Sequence, residues 1–187
     1  IDLRQDAFSS MGAVENLAIA YDTVIENATS NGGDDNLRGN DADNELRGNA
    51  GDDTIIASGG DDRVFDGAGA DSVNLGSGDD YVRAGGGQDT YDGGSGSDYI
   101  SYYDSTGGVT LNLATDSASG SWASNDTIED FENAGGSRTG DDHITGTSGA
   151  RDVEVRIVGS TSGILAQADL NNQVNGTAAA NDVTVSL

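Results

Sequence analysis

The sequence predicts an all-β solenoid of short parallel strands, and three observations predict it. A nine-residue period runs unbroken from Ser30 to Ser101, one apolar residue holds a fixed place in every period, and turn-forming residues fill most of the rest. In blocks the stretch reads SNGGDDNLR, GNDADNELR, GNAGDDTII, ASGGDDRVF, DGAGADSVN, LGSGDDYVR, AGGGQDTYD and GGSGSDYIS. A flexible Gly/Asp linker has no reason to keep several positions in phase through so many cycles.

Each part of the block has a local reason. The first six positions are rich in Gly, Asn, Ser and Asp, which accept positive φ and turn the chain tightly. The fourth is Gly33, Gly51, Gly60, Gly69, Gly78, Gly87 and Gly96, with Ala42 the exception. The last three positions set an apolar residue between two mostly polar ones, the pattern of a very short strand. Leu37, Leu46, Ile55, Val64, Val73, Val82, Tyr91 and Ile100 hold that apolar place. Their side chains are expected to point inward and stack about 4.8 Å apart along the axis. Two blocks then close one coil. The sixth position is Asp35, Asn44, Asp53, Asp62, Asp71, Asp80, Asp89 and Asp98. The whole block matches the known pattern G-G-x-G-x-D-x-U-x of calcium-binding parallel β-helices.

Charge explains why a metal is expected. The 187 residues include 33 acidic side chains against 8 basic ones, all arginine, for a net charge of −25. So acidic a chain with 34% hydrophobic residues stays unfolded unless something cationic completes it. One buried aliphatic side chain per block does not offset the conformational entropy of ordering that block. Stacked aspartates along each edge also repel one another. A hard divalent cation between coils removes the repulsion, and calcium suits irregular cages of carboxylate and carbonyl oxygens better than magnesium does.

Blocks two apart share an edge, so sixth-position side chains pair at a separation of eighteen. One edge is expected to pair Asp35 with Asp53, Asp53 with Asp71, and Asp71 with Asp89. The other pairs Asn44 with Asp62, Asp62 with Asp80, and Asp80 with Asp98. Each pair, with carbonyls of its glycine loops, frames one calcium ion. The Asn44 site, one formal charge short, is expected to be weakest.

The same composition excludes other classes. Nucleic acid is not an expected partner, because phosphate binding needs clustered cations. No cysteine is present, so disulfides and thiolate metal sites are excluded. No apolar run approaches the roughly 20 residues of a spanning helix, so no membrane span is expected. An EF-hand fails from Asp41, since Leu46 takes the glycine position.

The segments IDLRQDAFSSMG, LAIAYDTVIENAT and GGDDNLRGNDADNELRGNAGDD, between Ile1 and Ile56, carry a family likeness. This stretch resembles the C-terminal domain of serralysin-type secreted metalloproteases, and the generic RTX repeat extends the resemblance to Ser101. The resemblance implies a right-handed parallel β-roll (a β-solenoid) with calcium in its nonapeptide turns. It also implies an extracellular location, export by a type I secretion apparatus, and an attached protease domain. Calcium ligation carries over to the sixth-position residues and their glycine loops. The chain departs from the family in lacking HExxHxxGxxH, and its sole histidine is His143. No zinc-protease site can be built from it, so no enzyme activity is expected of this chain. Beginning at Ile1, it reads as a fragment of a larger protein.

The remaining segments follow in order. Residues 1–29 read as N-terminal strands leading into the roll, with Ile19 eighteen residues before Leu37. Residues 30–101 are the roll. Residues 102–136, with GGVTLNLAT and DTIEDFEN, resemble the spacer between blocks of RTX repeats. Residues 137–158 are expected to form degenerate further turns: SRTGDDHIT offers Asp142 as a ligand, while GTSGARDVE puts Arg151 in the aspartate's place. Residues 159–187 end in strand-like DVTVSL, either a type I secretion signal or an ordinary edge strand. Tyr99, Tyr102 and Tyr103 are expected as a solvent-facing aromatic ladder, with a carbohydrate patch the alternative. His143 is expected at an exposed strand edge. The expected role is a calcium-dependent folding and export module. Its rival is a surface-layer, matrix or adhesin segment that self-assembles through calcium.

Overall fold

The computed structural model describes residues 1–4 and 24–146, together with the backbone of three outlying strands. Two of these, β1 (Phe8–Ser10) and β2 (Glu15–Ala18), pair antiparallel. No helix occurs among the described residues, so none there can cross a membrane.

Between Asn27 and Ser101 the strands alternate between two parallel sheets. One sheet takes β3 (Asn27–Thr29), β5 (Glu45–Ala50), β7 (Arg63–Ala68), β9 (Tyr81–Arg83) and β11 (Tyr99–Ser101). The other takes β4 (Asn36–Arg38), β6 (Thr54–Gly59), β8 (Ser72–Ser77) and β10 (Thr90–Ser95). The register is the one the period dictates. Leu37 lies on Ile55, Ile55 on Val73 and Val73 on Tyr91, while Ala28, Leu46, Val64, Val82 and Ile100 stack in the facing sheet. All eight apolar side chains of the repeats are at most 2% exposed. The described residues are all-β, and from Asn27 to Ser101 they form a parallel solenoid, as the period predicts.

The coil has a second inward position, at the start of each block. Ala57, Asp66, Leu75 and Ala84 stand there, all buried. Most blocks put Ser, Gly or Ala at this place, which lets the two sheets close over a narrow interior, while Asp66 and Leu75 fill more of it. Turns at the fourth position are equally tight. Gly69 has φ 145°, and a Cβ there would collide with the carbonyl oxygen of Gly51 in the preceding coil.

After β11 the period breaks. β12 (Val109–Asn112) and β13 (Ser117–Gly120) form an antiparallel excursion. Then β14 (Thr127–Glu129) settles on β10, with Thr127 beside Thr90, and β15 (Asn133–Gly135) settles on β11, with Asn133 beside Tyr99. The solenoid therefore resumes within the expected spacer. Asp126-Thr127-Ile128 and Glu132-Asn133-Ala134 keep the acidic, polar, apolar order of a repeat, although the loop between them is shorter. Further on, β16 (His143–Thr145) runs parallel to β12, and β17 (Val155–Arg156) parallel to β15.

At the N-terminal end, the segment beside β4 is Ile1–Leu3. Arg38 N–H donates to the Ile1 carbonyl at 2.6 Å, and Leu3 N–H to the Arg38 carbonyl at 2.7 Å. Ile19, Arg151 and the tail 159–187 lie outside the described residues.

The outer face of the β3–β11 sheet carries the aromatic ladder, interleaved with arginine. Arg47 lies 3.9 Å from the Phe65 ring centre, Arg63 lies 5.2 Å from that of Tyr81, and Tyr81 stacks on Tyr99 at 5.6 Å. Tyr103 continues it between Arg83 and Arg138. Tyr102 does not: it is fully buried, its hydroxyl donating to Asp126 Oδ2 at 2.8 Å. The three tyrosines do not share one face, because side chains alternate along extended chain: Tyr99 and Tyr103 have the outward parity and Tyr102 that of the buried Ile100.

Candidate metal centre

The sixth-position residues sit where each turn enters its strand, and the solenoid brings every expected pair together. In each pair the main-chain N–H of the earlier residue donates to Oδ1 of the residue eighteen further on. Asp35 bonds Asp53 at 2.8 Å, Asp53 bonds Asp71 at 2.8 Å, and Asp71 bonds Asp89 at 2.8 Å. On the other edge Asn44 bonds Asp62 at 2.7 Å, Asp62 bonds Asp80 at 2.7 Å, and Asp80 bonds Asp98 at 2.9 Å. From Asn44 to Asp98 these side chains are buried, while Asp35 in the first turn is half-buried.

A second, exposed row ties the coils in the opposite sense. Asp34 Oδ1 accepts the N–H of Asp52, Asp43 that of Asp61, Asp52 that of Ala70 and Asp61 that of Asp79. Fifth and sixth positions therefore share the work of capping turns, and the two differ in what remains. Asp53, Asp62, Asp71, Asp80 and Asp98 each keep an Oδ2 that is buried and has no hydrogen-bond partner. Orphaned buried carboxylate oxygens are costly and rare unless something else satisfies them.

That cost appears as raised pKa values. Burial pushes the Asp62 and Asp98 carboxyls up to about 7 and Asp71 up to about 6, with neighbouring aspartates adding to the shift. Burial also raises Asp53, Asp80 and Asp89. The ion pairs among the described residues, Arg4–Asp2, Arg47–Glu45 and Arg83–Asp104, lie elsewhere.

Glycine makes room beside these carboxylates. A Cβ on Gly48 would collide with Asp53 Oδ2, and one on Gly39 with the Asn44 side chain. The fourth-position glycines Gly33, Gly51, Gly60, Gly69, Gly78 and Gly96 adopt φ between 102° and 149°. Gly87 is held by close approach instead, since a Cβ on it would meet the Gly69 carbonyl oxygen. Hard anionic oxygens, no nitrogen or sulfur donors, and space beside them fit calcium.

Three acidic residues extend the array beyond the repeat pattern. Asp89 N–H donates to Asp126 Oδ1 at 3.0 Å, and Asp98 N–H to Glu132 Oε2 at 3.0 Å, so both edges continue past the excursion. Their signal was the short acidic-polar-apolar triplet, hidden by the lost period. Asp66, fully buried, is the third; its signal was an acid at a block position otherwise held by Ser, Gly, Ala or Leu. Asp142 fares differently. Its Oδ1 accepts Val109 N–H at 2.9 Å and the Ser137 hydroxyl at 2.8 Å, and the residue level with it on the neighbouring strand is Val109, which has no carboxylate. The excursion strand β12 breaks the pairing there.

A search among curated proteins finds no significant match. Residues 29–64 and 65–100 each match the four-copy family model of the RTX calcium-binding nonapeptide repeat. The period, the parallel stacking and the carboxylate array agree with that match: the stretch 29–100 carries RTX calcium-binding nonapeptide repeats, and its solenoid matches an RTX β-roll.

Proposed function

We propose that calcium ions seat between successive coils and that their binding converts an extended, self-repelling chain into the roll. The ligands proposed are the paired carboxylates Asp35–Asp53, Asp53–Asp71 and Asp71–Asp89 on one edge, and Asp62–Asp80 and Asp80–Asp98 on the other. Asn44–Asp62 is a weaker member, and Asp126 and Glu132 continue the two edges. Carbonyls of the glycine turns complete each site. The observation that carries this is the set of buried Oδ2 atoms with no partner on Asp53, Asp62, Asp71, Asp80 and Asp98.

Bound calcium supplies positive charge and accepts several oxygens at once. The chain does the rest. Main-chain N–H groups fix one oxygen of each carboxylate, the glycine turns open a space beside the other, and the stacked apolar residues hold the spacing. At tenfold over Kd each site adds about 1.4 kcal/mol to the folded state. Because neighbouring sites share an aspartate, an ion in one orders the ligands of the next and favours its filling.

This chemistry suits a secreted module. Where free calcium is low the chain, with a net charge of −25, stays unfolded and can thread a type I secretion channel. Outside, calcium folds it and so stabilises an attached protein. The resemblance of Ile1–Ile56 to serralysin-type C-terminal domains favours a metalloprotease as that cargo.

Far-UV circular dichroism during a calcium titration, with magnesium as control, tests the proposal. A cooperative coil-to-β transition with calcium alone is expected. A β spectrum that chelator leaves unchanged would overturn it.

A further inference from the structure

The interior of the roll is apolar along most of its length, and Asp66 interrupts it. This residue stands at the first position of its block, where the neighbouring coils place Gly48 and Ala84. It is 0% exposed. Its carboxylate accepts Gly67 N–H at 2.8 Å and the hydroxyl of Tyr91, which reaches it from the facing sheet. The same hydroxyl lies 3.0 Å from Asp89 Oδ2. Tyr91 is itself a departure, the one aromatic among the eight inward apolar positions.

Asp66 does not stand alone. Oxygens of Asp66, Asp71 and Asp89 lie within 4.8 Å of one another, and all three side chains are at least 97% buried. One phenolic proton cannot satisfy two carboxylates, and among the described residues no arginine forms an ion pair with any of the three. Asp71, whose Oδ1 accepts the Asp53 N–H, keeps a buried Oδ2 with no partner at all. Three carboxylates around a partnerless oxygen, deep in the roll, lack only a cation. Among the described residues no other such trio occurs.

We propose that Asp66 is a third carboxylate ligand to the ion on Asp71 and Asp89, making this the tightest calcium site of the roll and the first to fill. It rests on the proposal that calcium binds between coils. Carboxylate count sets affinity at oxygen-ligand sites, so a third charge separates this site from its two-carboxylate neighbours. Its place near the middle of the repeat run suits a nucleus from which coils order in both directions. Tyr91 positions Asp66 and Asp89 against each other across the interior.

Terbium luminescence excited through tyrosine, with calorimetric calcium titration in parallel, tests this on the full chain. In the unaltered protein the first terbium equivalent is expected to be sensitised, because the Tyr91 ring lies against two of its ligands. Tyr91→Phe should abolish that first-equivalent emission while the ion still binds. Asp66→Asn should weaken the tightest site at least tenfold without changing the number of ions bound at saturation. Asp66→Gly, which restores the residue found at Gly48, should do the same on a regular coil. Unchanged affinity and first-equivalent emission in both Asp66 variants would overturn the third-ligand role while leaving the paired sites intact. Failure of the unaltered chain to bind calcium at all would instead overturn the paired sites.

Discussion

The main-chain N–H of Asp62 donates to Oδ1 of Asp80, eighteen residues further on, at 2.7 Å, and Asp80 Oδ2 is left buried with no partner. One carboxylate thus ties two coils with one oxygen and presents the other. Exposed Asp34 makes the same kind of tie, to Asp52 N–H at 2.9 Å, without a buried oxygen to offer. Asp62→Ala or Asp71→Ala should therefore cost about 2–4 kcal/mol in calcium, and Asp34→Ala about 0.5–1.5 kcal/mol. Urea unfolding in saturating calcium measures the difference. Equal losses in all three would show that the aspartates only cap turns.

Asn44 keeps the geometry of its row without the charge. Its N–H donates to Asp62 Oδ1 at 2.7 Å, and its own Oδ1 accepts Asn40 N–H at 2.8 Å. Asn44→Asp preserves both bonds and adds the missing carboxylate. Calcium should then fold the chain at a lower midpoint, with one more ion bound tightly in calorimetry. A midpoint that rises would mean repulsion from Asp62 outweighs the added ligand.

Two positions predict opposite effects of glycine. Ser58 has φ 94° and a buried hydroxyl with no partner, and the residue stacked on it is Gly76 at φ 109°. Ser58→Gly removes the strain and the orphaned oxygen, and should raise stability by about 1 kcal/mol after the entropy cost of glycine. Gly69→Ala places a Cβ against the Gly51 carbonyl oxygen at φ 145°, and should cost about 3 kcal/mol or more. Thermal melts in calcium should move up for the first and down for the second.

Much of this was legible because a strict period carries its own register. Once Leu37 and Ile55 are aligned at eighteen residues, Asp35–Asp53 and Asn44–Asp62 follow without further information. Asp126 and Glu132 escaped because the excursion through β12 and β13 destroys the count, and register in a parallel sheet is set by three-dimensional stacking once the count is lost. Asp66 escaped for another reason. Its block position looks like a turn residue in sequence, and only the closing of the two sheets shows that it faces inward. Tyr102 departs from the expected ladder because successive residues alternate faces: Tyr99 and Tyr103 share the outer parity, while Tyr102 has that of the buried Ile100.

The buried carboxyls also set how the roll responds to pH. Burial holds Asp62 and Asp98 at about 7 and Asp71 at about 6, against an ordinary value of 3.8. Between about pH 4 and 7 the folded roll therefore keeps protons that the unfolded chain has released. Stability then falls as pH rises, because the folded state binds more protons. Their contribution is fully present below the unfolded value and is lost as pH climbs through about 6 to 7. Protons and calcium thus stand in for one another at these oxygens, and acid should weaken calcium binding. The chain in chelator should show more β structure at pH 5 than at pH 8, and calcium should remove most of that difference. Circular dichroism across this range, with and without calcium, reads it directly. Chelated chain that gains β structure on going from pH 5 to 8 would show that mutual repulsion of these carboxylates does not govern folding.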